Sequence, residues 1–312
     1  MTKKKFKRIA LFGSSGMVGQ NLIELSPDNI DLICPSSKEV DLTQKHLVKE
    51  YISDQKPELI INCAGKVGGI QANMAEPYDF FLQNLLINQN LILSAKESKV
   101  KYFLNLGSSC MYPRNAINPL KEESLLTGEL EPTNEGYALS KIVAQRMIQY
   151  LNMEDRTISY KTLIPCNLYG KYDKFDSHNA HMIPAVISRI HKAVISNADE
   201  IKIWGDGTAR REFMYAGDFA KIIWDMIPIF KSIPQTMNIG LGVDYSILDY
   251  YKAIAKIIGF KGRFAFDLDK PIGMKQKLVD NSIQNKLNLG VKHSIEDGIK
   301  LTYNYYLKNI LN

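Results

Sequence analysis

An α/β fold, with a doubly wound parallel sheet and a smaller α/β second domain, is what the sequence predicts. Two observations carry this expectation. Through the first half of the chain, short apolar runs alternate with segments of helical pattern, and that βαβα order builds a parallel sheet covered on both faces. The first apolar run ends in a glycine-rich turn that opens a helix. Length agrees, because 312 residues suit about two domains or one large α/β unit.

Taken in order, Arg8-Ile9-Ala10-Leu11-Phe12 predicts a strand, 17–25 a helix, 30–34 a strand and 43–53 a helix. Glu58-Leu59-Ile60-Ile61-Asn62 predicts the next strand and 77–98 a long helix. Strand, helix and strand then follow over 102–106, 135–151 and 160–164. After Pro165 the alternation fades. Helical pattern returns near 181–196 and 218–229, a short strand is expected at 201–204, and Met237-Asn238-Ile239 can rejoin the sheet. The amphipathic segment 294–307 opens with Ser294 and Asp297, spaced as in a capping box.

Composition narrows the class. With 45% hydrophobic and 23% charged residues the chain is not a largely disordered one. No apolar run approaches the roughly 18 residues of a membrane span. The net charge of +6 suggests a polyanion partner only until it is located. Lys3, Lys4, Lys5, Lys7 and Arg8 supply five of those charges within the first eight residues, as a solvated lead-in. Neither nucleic acid nor membrane is therefore an expected partner. The stretch Ile9–Phe12 is too short for the apolar core of a secretory signal, about 7–15 residues. Cys34, Cys63, Cys110 and Cys166 form no CxxC. They predict reduced thiols in a cytoplasmic protein, with no disulfide framework and no metal site.

Gly13-Ser14-Ser15-Gly16-Met17-Val18-Gly19 reads GxxGxxG between strand and helix. Glycines there allow a tight turn and bring backbone N–H groups to a pyrophosphate at the helix N-terminus, the arrangement of a Rossmann-type dinucleotide site. A glycine turn needed only for packing is the plainer alternative. An NAD site commonly has an acid at the end of the second strand. Here that end reads Cys34-Pro35-Ser36-Ser37-Lys38, and hydroxyls with a cation suit a 2′-phosphate better. NADPH is therefore the expected cofactor, with Asp41 facing the adenine. Lys38 as a merely solvated side chain remains the alternative.

Tyr137-Ala138-Leu139-Ser140-Lys141 is a YxxxK, and on a helix residues i and i+4 share a face. A tyrosine titrates near pH ~10 unperturbed, and a neighbouring ammonium favours the phenolate, making Tyr137 a better acid–base group. Alone the motif is a common accident. Gly107-Ser108-Ser109-Cys110-Met111-Tyr112, after the fourth strand, supplies a hydroxyl able to share a carbonyl oxygen with Tyr137. Ser, Tyr and Lys in this order behind a GxxGxxG describe an extended short-chain dehydrogenase/reductase.

Longer stretches carry a closer resemblance. They are Lys66-Val67-Gly68-Gly69-Ile70, Gly107–Pro113, Glu131–Ala138, Pro165–Gly170, His181–Ala185, and Trp204–Thr208 leading to Arg211-Glu212-Phe213. On these the chain resembles the GDP-L-fucose synthase family over nearly its whole length. The resemblance implies an NADPH-dependent reduction at C4 of a GDP-linked 4-keto sugar, after inversion at C3 and C5. It puts Tyr137 as proton donor to the C4 oxygen, Ser108 on the same oxygen, and Lys141 at the nicotinamide ribose. Cys110 and His181 match the pair that moves the C3 and C5 protons, although either alone would read as structural.

The resemblance extends the cofactor contacts to Leu42, Ala64, Gly65, Leu106, Gly107, Pro165, Asn167, Leu168 and His181. Substrate contacts implied are Lys66, Val67, Ser109 and Asn167, with Arg189 and Arg211 at the diphosphate, Trp204 at the guanosine and Lys277 further along. Some features depart from the family. An arginine-rich segment before Asp41 is missing, Ala180 replaces an expected serine, His178 is an extra imidazole, and Leu289-Gly290-Val291 lacks an aromatic. They leave the sugar open, so a C4 reductase without epimerase activity, acting on a GDP-4-keto-heptose, stands as the alternative. An NADP-sensing interaction subunit is the alternative that is not an enzyme. The resemblance also implies a homodimer through the helices over 77–98 and 135–151. The expected division is a cofactor domain over 1–165, rejoined around 213–240, and a substrate domain from 166–212 and 241–312.

Overall fold

The fold is described from a computed structural model for residues 4–176, 180–269 and 273–311. The chain runs β1 (Arg8–Phe12), α1 (Met17–Glu24), β2 (Asp31–Ile33), α2 (Lys45–Gln55), β3 (Leu59–Asn62), α3 (Ile70–Ala75) and α4 (Pro77–Glu97). There follow β4 (Tyr102–Leu106), α5 (Glu135–Glu154), β5 (Ser159–Pro165), β6 (Asn167–Tyr169), α6 (Met182–Ile195) and β7 (Glu200–Trp204). Next come β8 (Arg210–Arg211), β9 (Phe213–Tyr215), α7 (Ala216–Met226), β10 (Thr236–Ile239), β11 (Tyr245–Ser246) and α8 (Ile247–Ile258). β12 (Arg263–Asp267), β13 (Gln276–Lys277), α9 (Ser282–Lys286) and α10 (Ile295–Asn309) complete it.

Six strands form a parallel sheet in the order β10-β5-β4-β3-β1-β2. This is the Rossmann-like architecture that the alternation predicts. Side chains of β1 divide between two cores, as the two-residue period of a strand requires. Ile9 and Leu11 join Leu22 of α1 and Phe219 and Ile223 of α7, whereas Ala10 and Phe12 join Val48 of α2, Leu91 of α4 and Ala144 of α5. Both faces are therefore covered, and β3 is buried along its whole length, as expected of a parallel strand. The chain leaves β1 for β2 and then crosses back to β3. The winding reverses between β1 and β3, where open α/β sheets form their ligand crevice.

A third core joins Ile183, Ile187 and Ile190 of α6 to Ile201 and Ile203 of β7, Tyr250 and Ile254 of α8, and Ile299 and Tyr306 of α10. Beside it lie two parallel pairs, β7 with β12 and β6 with β9, and the small sheet β11-β8-β13. The sequence reading left 241–293 without regular elements, yet β11, α8, β12, β13 and α9 lie there. The helix expected over 218–229 ends at Met226 and tightens into 3-10 turns through Ser232. Pro228 lies in that stretch, and proline has no N–H to continue the ladder. Ser294 caps α10 as expected, accepting from the Asp297 N–H. No helix among the described residues is long and apolar enough to cross a membrane.

Candidate active site

The glycine turn closes β1 against β3. Gly13 has φ +83°, and a Cβ there would lie 2.5 Å from the Ala64 nitrogen. At Gly19 a Cβ would collide with the Gly13 carbonyl oxygen. Packing alone explains these two glycines. Gly16 differs, because a Cβ there would find its nearest neighbour, the Gly13 oxygen, at 3.5 Å. Gly16 is also the N-cap of α1 and offers no side-chain cap to the first-turn N–H groups. Open space before uncapped N–H donors fits a pyrophosphate. Met17 and Val18 are half-buried in the first turn, Ser15 is exposed, and the Ser14 hydroxyl reaches the Pro35 carbonyl at 3.4 Å.

The end of β2 departs from its sequence reading. Glu39, one residue past Lys38, folds back to accept the Ser36 N–H at 2.7 Å, and that contact holds its carboxyl below the usual range. Glu39 thus lies in the loop beyond the strand end, beside the exposed Ser37 and Lys38. Asp41 accepts from the Thr43 N–H at 2.9 Å and from its hydroxyl at 2.7 Å, so it shapes the turn before α2. The Leu42 carbonyl is held by Asn90 at 2.9 Å.

Buried amides support the opposite wall, and the sequence reading missed them. Asn62 donates to Asn88 and Asn105 at 2.9 and 3.0 Å, and accepts from the Ala64 N–H at 3.0 Å. Asn84 clasps Lys66, accepting from its N–H and donating to its carbonyl, each at 3.0 Å. The Asn84 oxygen would sit 2.6 Å from a Cβ on Gly65. Regular spacing of Asn84 and Asn88 on an otherwise apolar helix face was the available signal. The Lys66 ammonium lies against Glu76 and Asp79 and over the Phe80 ring, while Val67 is exposed.

Tyr137 and Lys141 stand one turn apart on α5. Lys141 is buried, donates to the Leu106 carbonyl at 2.9 Å and lies 5.8 Å from the centre of the Tyr137 ring. Burial lowers this lysine to about 8. The expectation that its charge depresses Tyr137 is corrected here. Burial and then the Cys110 charge push the phenol up, with the Ser108 hydroxyl pulling the other way. With the ammonium satisfied by Leu106, desolvation wins. Ser108 also caps a 3-10 turn over Ser109–Met111, accepting from the Cys110 N–H at 3.2 Å. Ser109, expected at the substrate, is buried in that turn. Gly107 fits tightly, since a Cβ would press on Met111 and on the Leu163 carbonyl.

Cys110 gathers residues from across the chain. The Asn134 side-chain amide donates to its sulfur at 3.2 Å, and the Lys277 ammonium lies 3.6 Å away. Lys277 pairs in register with Arg211, whose guanidinium is lowered by burial and raised by the Cys110 charge. Glu212 fastens this corner. Its buried carboxylate accepts from the Gly242 and Val279 N–H groups at 2.7 and 2.9 Å, and burial raises it to about 7. Asn167 donates to the Glu212 carbonyl at 3.0 Å, Leu168 packs on the first core, and Pro165 is buried.

The remaining expected residues have surroundings of their own. His181 caps α6 and is half-buried, and its imidazole is held below its usual value by burial and then by Lys174. The preceding Ala180 carbonyl meets Gly69, where a Cβ would lie 3.1 Å away. His178 lies outside the described residues. Arg189 donates to the Lys202 carbonyl at 2.9 Å and to the Tyr251 hydroxyl at 3.1 Å, tying α6 to β7 and α8. Trp204 ends β7 and is 38% exposed.

A parallel sheet whose first strand runs into a glycine turn, with Ser, Tyr and Lys beside the reversal crevice, defines a dinucleotide-binding α/β enzyme class. The profile of the NAD dependent epimerase/dehydratase family matches residues 9–240. The chain is 50% identical to the GDP-L-colitose synthase of Yersinia pseudotuberculosis over 96% of this chain and 98% of that one. It is 44% identical to the GDP-L-fucose synthase of Azorhizobium caulinodans over 97% of both. Among solved structures, the GDP-mannoheptose C4 reductase from Campylobacter jejuni with NADP bound superposes with a TM-score of 0.87 at 30% identity, covering 98% of this chain and 99% of that one. The chain belongs to the NAD dependent epimerase/dehydratase family.

Proposed function

We propose that this protein is an NADPH-dependent oxidoreductase that reduces C4 of a GDP-linked 4-keto sugar and inverts C3 and C5 before doing so. The observation that carries the reading is the joint presence of Ser108, Tyr137 and Lys141 at the crevice with Cys110 in the adjoining turn. Relatives named for GDP-fucose and GDP-colitose synthesis support the nucleotide and the keto sugar. The neighbour with NADP bound supports the cofactor.

The glycine turn would hold NADPH, which would supply the hydride for C4 when bound. Tyr137 gives its phenolic proton to the C4 oxygen while the Ser108 hydroxyl holds that oxygen. A high-lying phenol remains protonated until the alkoxide forms, which suits a proton donor. Lys141, already half-neutral near pH 8, returns a proton to Tyr137. In the earlier steps the C4 carbonyl acidifies the protons on C3 and C5. One of Cys110 and His181 removes the proton and the C–H electron pair passes into the enolate. The other delivers a proton to the opposite face. Arg189 and Arg211 bind the diphosphate, Trp204 packs at the guanosine, and Lys66 and Asn167 line the sugar.

The division we favour groups 1–165 and 213–240 around the cofactor, and 166–212 with 241–312 around the sugar nucleotide. Exposed Tyr78, Tyr150 and Val143 on α4 and α5 support a homodimer through those helices. Four unpaired cysteines support a reducing, cytoplasmic setting. Likeness to a heptose C4 reductase favours one second reading, reduction without epimerisation.

Incubation with GDP-4-keto-6-deoxymannose in D₂O without NADPH separates the two. Deuterium at C3 and C5 upholds epimerisation. Its absence, with reduction intact, leaves a reductase only. Product analysis over a panel of GDP-4-keto hexoses and heptoses then identifies the sugar. If no member of the panel is reduced, the enzyme reading fails in favour of an NADP-sensing subunit.

A further inference from the structure

We infer that Lys277 and Asn134 are positioning residues that aim the Cys110 sulfur and ready it to take a proton. This deepens the proposed function and rests on its assignment of Cys110 to proton transfer. Two N–H donors far apart in the sequence converge on one sulfur, at 3.2 Å from Asn134 and 3.6 Å from Lys277. A thiol offers one weak proton, whereas a thiolate offers lone pairs and a full charge. Donors and a cation beside sulfur therefore favour the thiolate.

Each donor is committed to the sulfur. Lys277 is 8% exposed, and a buried ammonium is costly unless an anion or strong acceptor meets it. Among the described residues its ammonium has no carboxylate partner, and its hydrogen bond goes to Cys110. Asn134 turns its N–H₂ to the sulfur although this leaves its own oxygen buried without a partner. The backbone of Lys277 is fixed as well. β13 pairs with β8, the Glu212 N–H donates to the Lys277 carbonyl at 3.2 Å, and the Glu212 carboxylate takes the Val279 N–H at 2.9 Å. Tyr137 and Arg211 also interact electrostatically with Cys110, and Glu131 acts on Arg211 in turn. Both cations, Lys277 and Arg211, favour the anion.

The step is a proton transfer with no other reactant. The sulfur lone pair forms S–H, the sugar C–H bond breaks, and its electron pair enters the enolate. Lys277 and Asn134 only set how ready the sulfur is.

The test follows iodoacetamide alkylation of each cysteine by peptide mass, from pH 6 to 9, on the full-length protein without sugar or cofactor. Cys34 and Cys63 serve as internal controls, because burial pushes both up, Cys63 to about 12. In the wild type Cys110 should label fastest. Lys277→Met should slow it about tenfold at pH 7 and move its rate–pH curve to higher pH. Lys277→Arg should restore most of the rate. A superimposable curve for Lys277→Met overturns the proposal. If that variant also unmasks Cys34 and Cys63, Asn134→Ala decides instead: slower Cys110 labelling upholds the inference and an unchanged rate overturns it. Sugar turnover plays no part, so the outcome stands even if no GDP-4-keto sugar is a substrate.

Discussion

The glycine turn and the Cys110 corner are built in opposite ways. The turn is local. Seven consecutive residues form it, and it presents backbone N–H groups rather than side chains. The Cys110 corner draws on residues 110, 134, 211 and 277, joined by strand pairing and one buried carboxylate. A local site is specified by conformation, and a dispersed one by the whole fold. The first should tolerate change elsewhere and fail on a single Cβ, whereas the second should lose function through distant changes.

The largest expected effect separates reduction from proton exchange. Tyr137→Phe should cut NADPH oxidation with a GDP-4-keto sugar by about 10²–10⁴, while deuterium exchange at C3 and C5 in D₂O persists. Equal loss of both would mean that the two chemistries share their acid. Next comes stability. Folded Lys141 titrates near 8 against 10.5 unfolded, so the folded state binds fewer protons between those values. Its charge therefore costs stability in full below pH 8, and the cost fades as pH rises toward 10.5. Lys141→Met should gain about 2 kcal/mol at pH 7, after about 1 kcal/mol for the lost Leu106 hydrogen bond, and little at pH 10. Thermal melts at the two pH values check this.

Two smaller effects concern the turn itself. Gly19→Ala must push on the Gly13 carbonyl and should lower stability by about 1–3 kcal/mol. Gly16→Ala meets nothing closer than 3.5 Å. It should melt like the wild type yet bind NADPH about tenfold more weakly, by crowding the pyrophosphate. Calorimetry beside melting distinguishes them, and equal loss of stability would make Gly16 another packing glycine. The smallest effect is at β2. Removing the exposed negative charge with Glu39→Gln should favour NADPH over NADH by about threefold, read from the ratio of their dissociation constants.

The same contrast explains what the sequence revealed. Strands of the first half are short, mostly apolar and alternate with helices, so their limits fall within a residue or two of the observed ones. α8 was overlooked although its signals are ordinary: Ser246 and Asp249 form a reciprocal cap and Gly259 ends it in the left-handed region. Without neighbouring strands in simple alternation, that segment had no frame to lie in. At the site, Tyr137, Lys141 and Ser108 were legible because their motifs are short. Lys277 was known only as a possible substrate contact, since no local pattern reveals a partner 167 residues from Cys110. Asn134 and the amides of Asn62 and Asn84 were overlooked for a related reason. A buried asparagine has meaning only through the groups it meets.

Glu212 gives the order of chain synthesis a chemical meaning. The ribosome releases the glycine turn, Ser108, Tyr137 and Lys141 long before β13. The sulfur of Cys110 waits for Lys277, which Glu212, already made, fixes through the Lys277 carbonyl and the Val279 N–H. A nascent or prematurely ended chain would carry the reductase groups without the ammonium beside the thiol. Of the two proposed chemistries, inversion at C3 and C5 would become competent last, after nearly the whole protein has folded around it.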